Sequence, residues 1–199
     1  ARAAEAAGAE MLVMDDGFQN PSLEKDLSLL VVDGGYGFGN GRVMPAGPLR
    51  EPLADALSRV DAVAMVGADT AGVVASLGGA KPIHHAHLEP LPGTERLAGR
   101  KLLAFAGIGR PGKFFDTLEK LGAVLVDRVG FPDHHRFSEM EVMALVERAH
   151  ALDATPITTE KDAVRLPPDA RRMVEVLPVA LVWRDPVPVT AWLERVLAR

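Results

Sequence analysis

Met11-Leu-Val-Met-Asp15-Asp16-Gly17-Phe18-Gln19 sets four apolar residues directly before two adjacent carboxylates, a glycine and the only glutamine of the chain. An apolar run bounded by Asp-Asp-Gly reads as a buried parallel strand ending in a polar turn. In open α/β sheets, ligands lie outside the carboxyl ends of such strands. Two acids there repel each other unless a cation lies between them, and Mg²⁺ is the natural occupant. That is the pattern of a Walker B strand in a nucleotide-phosphate enzyme. The same nine residues also fit an Asp-Gly turn that merely closes a strand, and on these residues alone both readings stand.

Outward from this stretch, strand and helix patterns alternate, which argues for α/β layers. Leu27–Asp33 is a second apolar run ending in an acid. The glycine-rich Gly34–Gly41 and the stretch Arg42–Pro52 follow, with Pro52 as a helix opener that places Arg50 and Glu51 at a helix N-terminus. Asp61–Gly67 reads as a third strand, Thr70–Leu77 as a short helix and Lys81–Leu88 as an extended linker strand. Pro90-Leu-Pro-Gly93 breaks the chain, so a domain boundary is expected near Arg96, dividing residues 1–95 from 96–199. The grammar then restarts. Lys101–Gly107 is a strand, Pro111–Leu121 a helix and Ala123–Asp127 a strand. Ser138-Glu-Met-Glu141 is a capping box opening a helix to Leu152. Thr155–Thr159 is a short strand, Val174–Trp183 a last strand and Val189–Leu197 a closing helix.

Composition bounds the function. A chain of 199 residues is long enough to bury a core, and 48% apolar with 25% charged residues is ordinary for a globular protein. A net charge of −5 argues against bulk nucleic-acid binding, although one anionic substrate in a local basic pocket remains compatible. The absence of cysteine rules out disulfides and thiolate metal sites. No apolar run approaches the ~20 residues of a membrane span. Ala1–Ala9 reads as the tail of a helix, so the chain is expected to begin inside an element.

Two further features invite a site. His85 and His87 share a face at strand spacing, but no acid or cysteine at suitable spacing completes a metal set, so solvated or cross-strand histidines are the preferred reading. Gly107-Ile-Gly-Arg-Pro-Gly112-Lys113-Phe114 fits G-x-x-x-x-G-K except at its last position. A phosphate loop needs a Ser or Thr hydroxyl there, and Pro111 removes an N–H from the cradle. A tight strand-to-helix turn is expected instead.

Taken together, Asp15-Asp-Gly-Phe-Gln19, Gly37-Phe-Gly-Asn-Gly41, Met44-Pro-Ala-Gly-Pro-Leu-Arg-Glu-Pro52, Ala106-Gly-Ile-Gly-Arg-Pro111, Phe131-Pro-Asp-His-His135 and Thr159-Glu-Lys-Asp162 resemble the tetraacyldisaccharide 4'-kinase family, the lipid A 4'-kinases of Gram-negative bacteria. The resemblance is collinear over nearly the whole chain. It implies a P-loop-type parallel sheet with helices, here a truncated first lobe, plus a second, smaller α/β lobe. It also implies transfer of the γ-phosphoryl of ATP, with Mg²⁺, to the 4'-hydroxyl of a lipid A disaccharide precursor. Asp15 and Asp16 match the family's Walker B metal pair, and Gln19, Arg50 and Glu51 match nucleotide-cleft positions. Asp133 and His134 match the second lobe's contribution to catalysis, with Asp16 and His134 as catalytic candidates. The implied location is peripheral, at the cytoplasmic face of the inner membrane, with the membrane reached through the family's N-terminal segment.

Elementary chemistry is compatible with these roles. Phosphoryl transfer needs a metal clamp, a cation and a group orienting the nucleophile. Asp15 and Asp16 suit the first, Arg50 the second, and His134 the third, with Asp133 able to orient its ring or raise its basicity. Two plainer readings compete: Asp133–His135 as a helix-capping turn, and Glu160–Asp162 as a helix N-terminus with Lys161 a candidate phosphate contact. No G-x-x-x-x-G-K-[ST] occurs in the sequence, so the chain by itself is expected to be inactive. The Asp15 strand is likewise expected to present an exposed apolar edge, paired with another copy or covered by upstream residues. The alternative function is a non-catalytic α/β module that binds a sugar phosphate or a partner.

Overall fold

The computed structural model describes residues 1–197, with side chains through residue 195. Its elements are α1 (Arg2–Ala6), β1 (Leu29–Asp33), α2 (Leu53–Arg59), β2 (Ala62–Val66), α3 (Val73–Leu77), β3 (Ile83–Pro90) and a 3-10 turn at Thr94–Leu97. They continue with β4 (Lys101–Ala106), α4 (Pro111–Lys120), β5 (Val124–Gly130), α5 (Glu139–Ala151), β6 (Thr155–Thr159), α6 (Glu160–Ala163), α7 (Pro168–Arg171), β7 (Glu175–Leu177), β8 (Val179–Trp183) and α8 (Pro186–Leu197). The strands form two four-stranded sheets, ordered β1-β2-β3-β8 and β5-β4-β6-β7. The α/β class with parallel sheets and helices is as expected.

The second sheet is wholly parallel. Its middle strand β4 is apolar on both faces, as burial under helices on both sides requires. Leu102, Ala104 and Ala106 pack with Phe114 and Leu118 of α4. Leu103 and Phe105 pack with Val142 and Leu145 of α5 and with Phe137. The strand after β4 in sequence, β5, lies on one side of it and the next, β6, on the other. That reversal creates a topological switch point between the carboxyl ends of β4 and β6, where α/β sheets bind ligands.

In the first sheet, β1 pairs with β2 and β2 with β3, both parallel. The core is Val32, Val60, Val63, Met65, Val73 and Leu77. Lys81–Leu88 was expected as a linker strand; β3 instead lies inside the sheet, between β2 and β8.

Four expectations need correction. Met11–Met14 is not a strand: it pairs with no strand among the described residues, and Met11, Leu12, Val13 and Met14 are 56%, 51%, 87% and 37% exposed. A parallel strand exists only through its hydrogen-bonded neighbours, and β1, at the sheet edge, is bonded to β2 alone. Val174–Trp183 is not one strand but two, β7 and β8, broken at Pro178. Proline supplies no ladder N–H, and the two halves join different sheets. In consequence the chain does not divide at residue 95. One unit comprises Ala1–Leu88 with Leu181–Arg199, the other Glu89–Ala180. The chain passes out of the first unit within β3 and returns within β8. The helix expected at Thr70–Leu77 starts later, at Val73, because Asp69 accepts the N–H groups of Val73 and Val74 at 2.7 and 3.0 Å.

Candidate functional site

In the first unit the charged residues singled out from the sequence form one connected cluster. Asp16 sits at φ 51°, a left-handed conformation that Asp tolerates better than most residues. Arg50 reaches it with both guanidinium nitrogens, Nη1 to Oδ1 and Nη2 to Oδ2, each at 2.9 Å. Arg50 Nη1 also donates to Gln19 Oε1 at 3.3 Å, and Gln19 Nε2 donates to Glu51 Oε1 at 3.1 Å. Arg59 closes the chain of contacts, donating to both Glu51 oxygens at 2.6 Å while lying over the Phe18 ring at 5.0 Å. The loop that delivers Arg50 and Glu51 is folded on itself by Asn40, whose amide donates to Ala46 O and whose Oδ1 accepts from Arg42 N. Gly47 is obligatory there, since a Cβ would lie 2.0 Å from Asn40 Oδ1 and 2.4 Å from Arg42 O.

The Asp16 end of the cluster faces solvent, the Arg50 and Asp16 side chains being 53% and 68% exposed, whereas the Glu51 side chain is 19% exposed. Such pairs fix geometry more than they stabilise. The hydrogen bond and charge of Asp16 hold the Arg50 guanidinium even more firmly protonated than usual. Asp15 makes no ion pair among the described residues, whereas both oxygens of Asp16 already answer Arg50. Asp15 and Asp16 are the carboxylates of this cluster that could hold a divalent cation, Asp16 while shared with Arg50. One or two carboxylates completed by phosphates and water suffice for Mg²⁺. No group of three metal-ligating side chains occurs among the described residues.

In the second unit the site forms at the switch point. The Gly107 peptide is its centre. Its N–H donates to Asp162 Oδ2 at 3.0 Å, and its carbonyl accepts from the His134 N–H at 3.1 Å and from Arg165 Nη1 at 3.4 Å. A Cβ at Gly107 would lie 3.1 Å from His135 Cβ and 3.3 Å from Pro132 O, so glycine permits this close approach. Asp162 is fully buried; it also accepts the Thr159 hydroxyl at 2.8 Å and faces Arg165 Nη1 at 3.4 Å. Arg165 in turn places Nη2 3.0 Å from His134 Nδ1.

The two histidines separate cleanly. His134, at φ 61°, is 69% exposed. Its ring Nε2 lies 3.7 Å from Asp133 Oδ2, beyond a hydrogen bond, while its backbone N–H donates to Asp133 Oδ1 at 3.0 Å. His135 is structural: it stacks on Phe131, meets Phe137 edge-on and lies 3.1 Å from Glu141 Oε1. Glu141 completes the capping box with Ser138, whose hydroxyl and N–H hold its carboxyl below the usual range despite slight desolvation, with His135 assisting. Asp162 and Thr159 form the expected helix N-terminus, Thr159 accepting from the Asp162 N–H. Lys161 is exposed.

Of the histidines of β3, His84 lies between Trp183 and Trp192, ring centroids 6.3 and 5.6 Å away, and its buried Nε2 has no partner among the described residues. Desolvation pushes this imidazole below the ordinary histidine range.

The sequence model of the tetraacyldisaccharide-1-P 4'-kinase family matches residues 1–198. The chain belongs to this family. It is 58% identical over 187 residues to the tetraacyldisaccharide 4'-kinase of Rhodospirillum centenum, covering 94% of this chain and 56% of that protein. The Rhodospirillum rubrum tetraacyldisaccharide 4'-kinase is 52% identical over 198 residues, covering 98% and 60%. Among solved structures, the "apo" form LpxK from Aquifex aeolicus in complex with ATP superposes with a TM-score of 0.60 at 26% identity, over 91% of this chain and 56% of that one. The chain thus spans less than two thirds of the length of these family members.

Of the residues proposed from the sequence, Asp16, Gln19, Arg50 and Glu51 are brought into one contact chain, with Asp15 beside them. Asp133 and His134 lie together in the second unit. Sequence reading missed Arg59, which secures Glu51, and Arg165, which holds His134. It also set Gly107 aside as part of a turn, and that turn proves to be the peptide on which the His134 site is assembled. The available signal for Arg165 was its i+3 spacing from Asp162 in a helical segment.

Proposed function

We propose that this chain supplies part of an ATP-dependent kinase that phosphorylates the 4'-hydroxyl of a tetraacyldisaccharide 1-phosphate in lipid A biosynthesis. What supports the reading is an exposed histidine held by an arginine that is anchored on a buried aspartate, at the switch point of a family member's sheet. Asp133 and His134 serve the acceptor hydroxyl. Arg50 supplies positive charge toward nucleotide phosphates, oriented by Asp16 and Gln19, and Glu51 is kept in place by Arg59. Mg²⁺, held through Asp15 and Asp16, would neutralise charge on the transferring phosphoryl group. Membrane contact is peripheral, at the cytoplasmic face of the inner membrane. No helix among the described residues is long and apolar enough to cross a bilayer.

One observation favours the non-catalytic module as a second reading: the sequence holds no G-x-x-x-x-G-K-[ST] to cradle β- and γ-phosphates. A chimera separates the two. The 199-residue chain alone is expected to transfer no phosphate from ATP to the disaccharide 1-phosphate. Joined behind the N-terminal portion of the Rhodospirillum centenum relative, it is expected to do so. His134→Ala in the chimera should lower the rate about 10²–10⁴-fold. An inactive chimera that folds and binds ATP would favour the module.

A further inference from the structure

A guanidinium has donors and no acceptor, so a partner at hydrogen-bond distance must offer a lone pair. Arg165 Nη2 stands 3.0 Å from His134 Nδ1. That contact requires Nδ1 to be the acceptor nitrogen, which leaves the ring proton of the neutral imidazole on Nε2. The arginine is itself held in place. Its Nη1 is 3.4 Å from Asp162 Oδ1 and 3.4 Å from Gly107 O, and its side chain is only 21% exposed. Asp162 is fully buried and anchored independently by the Gly107 N–H and the Thr159 hydroxyl. The Asp133 carboxylate lies on the Nε2 side of the ring, at 3.7 Å, where it attracts a proton on that nitrogen.

We propose that Arg165, anchored on buried Asp162, is a positioning residue that fixes His134 as a hydrogen-bond donor at Nε2. The exposed ring edge then presents N–H, suited to an oxygen lone pair of the acceptor hydroxyl or of a phosphoryl group. In this state Nε2 has no lone pair with which to take the hydroxyl proton. His134 thus orients and stabilises rather than deprotonates. The proposal deepens the kinase reading and rests on it for its catalytic meaning, but the tautomer is a property of the chain alone.

The test uses ¹⁵N-histidine-labelled 199-residue chain and long-range ¹H–¹⁵N correlation at about pH 8.5, above the ordinary histidine value of ~6.5. His134→Asn assigns the signal. The expected result is a proton on His134 Nε2 and an Nδ1 resonance displaced as for a hydrogen-bonded acceptor. Arg165→Met should move Nδ1 to the position of an unbonded ring nitrogen, and Arg165→Lys should restore part of the displacement. A proton on Nδ1, or His134 signals unchanged in Arg165→Met, overturns the proposal. In an active chimera Arg165→Met is expected to lower kcat about 10–100-fold with little change in KM, and an unchanged kcat also overturns it. An inactive wild-type chimera counts against the kinase reading only, because the tautomer is then decided by the isolated chain.

Discussion

The cluster around Asp16 and the array around His134 are built on opposite plans. Around Asp16 the partners are other side chains, mostly in solvent: Arg50, Gln19, Glu51 and Arg59 hold one another. Around His134 the partners are Arg165, itself anchored on buried Asp162, and the Gly107 peptide at the end of β4. The backbone beneath them differs in the same sense. Met11–Met14 leads to Asp15 with no strand partner, whereas β4 leads to Gly107 with Leu102 through Ala106 buried on both faces. A solvent-held cluster can rearrange when a charged ligand arrives, at little cost to the fold. A sheet-held array is set in advance and carries the preorganised part of the chemistry.

The contrast is broken most directly through the foundations. Phe105→Ala should destabilise the second unit by about 3–5 kcal/mol, as expected for a fully buried aromatic, while Val13→Ser should stay within about 0.5 kcal/mol. Urea denaturation followed by far-UV circular dichroism reads both, and comparable losses would erase the difference drawn between the two runs. A smaller effect is expected one layer up. Asp162→Ala leaves the Gly107 N–H and the Thr159 hydroxyl without their partner and should cost about 2–4 kcal/mol. Asp16→Ala, at an exposed pair, should produce no resolvable shift in the midpoint.

A smaller effect than that of Asp162→Ala is expected in the acid arm. Burial tends to raise the Glu175 carboxyl, but Arg96 and Arg100, each with a nitrogen 2.7 Å from it, outweigh that and hold it below its ordinary 4.5. A carboxyl depressed in the fold contributes stability that is complete above its unfolded value and is lost as pH falls through the folded one. Glu175→Gln should therefore lower stability near neutrality and flatten the loss as pH falls through and below the ordinary 4.5. Urea midpoints across that range decide it, and parallel curves for wild type and variant would show that Glu175 contributes nothing.

Local signals were readable and distant pairings were not. Ser138 and Glu141 announced α5 because a capping box is complete within four residues. The strand at Lys101–Gly107 was readable for the same reason, because its apolar run is complete within its own residues. Met11–Met14 carried an equally strong apolar signal, but a strand depends on a neighbour that its own residues do not specify. The switch of the chain at Pro178 from one sheet to the other is again a matter of partners, although the proline marked the break. In the sites, Asp16, Arg50 and His134 were recognisable from the motifs around them. Arg165 was not, because it meets His134 from 31 residues away and lies outside those motifs.

The packing of Trp183 and Trp192 against His84 also determines what light can report about this molecule. They are its two tryptophans, and Tyr36 is its single tyrosine. All three belong to the first unit, so Glu89–Ala180 contains neither chromophore. Tryptophan emission is therefore a private signal of the corner where β3, β8 and α8 meet, and the unit that holds His134 can melt in the dark.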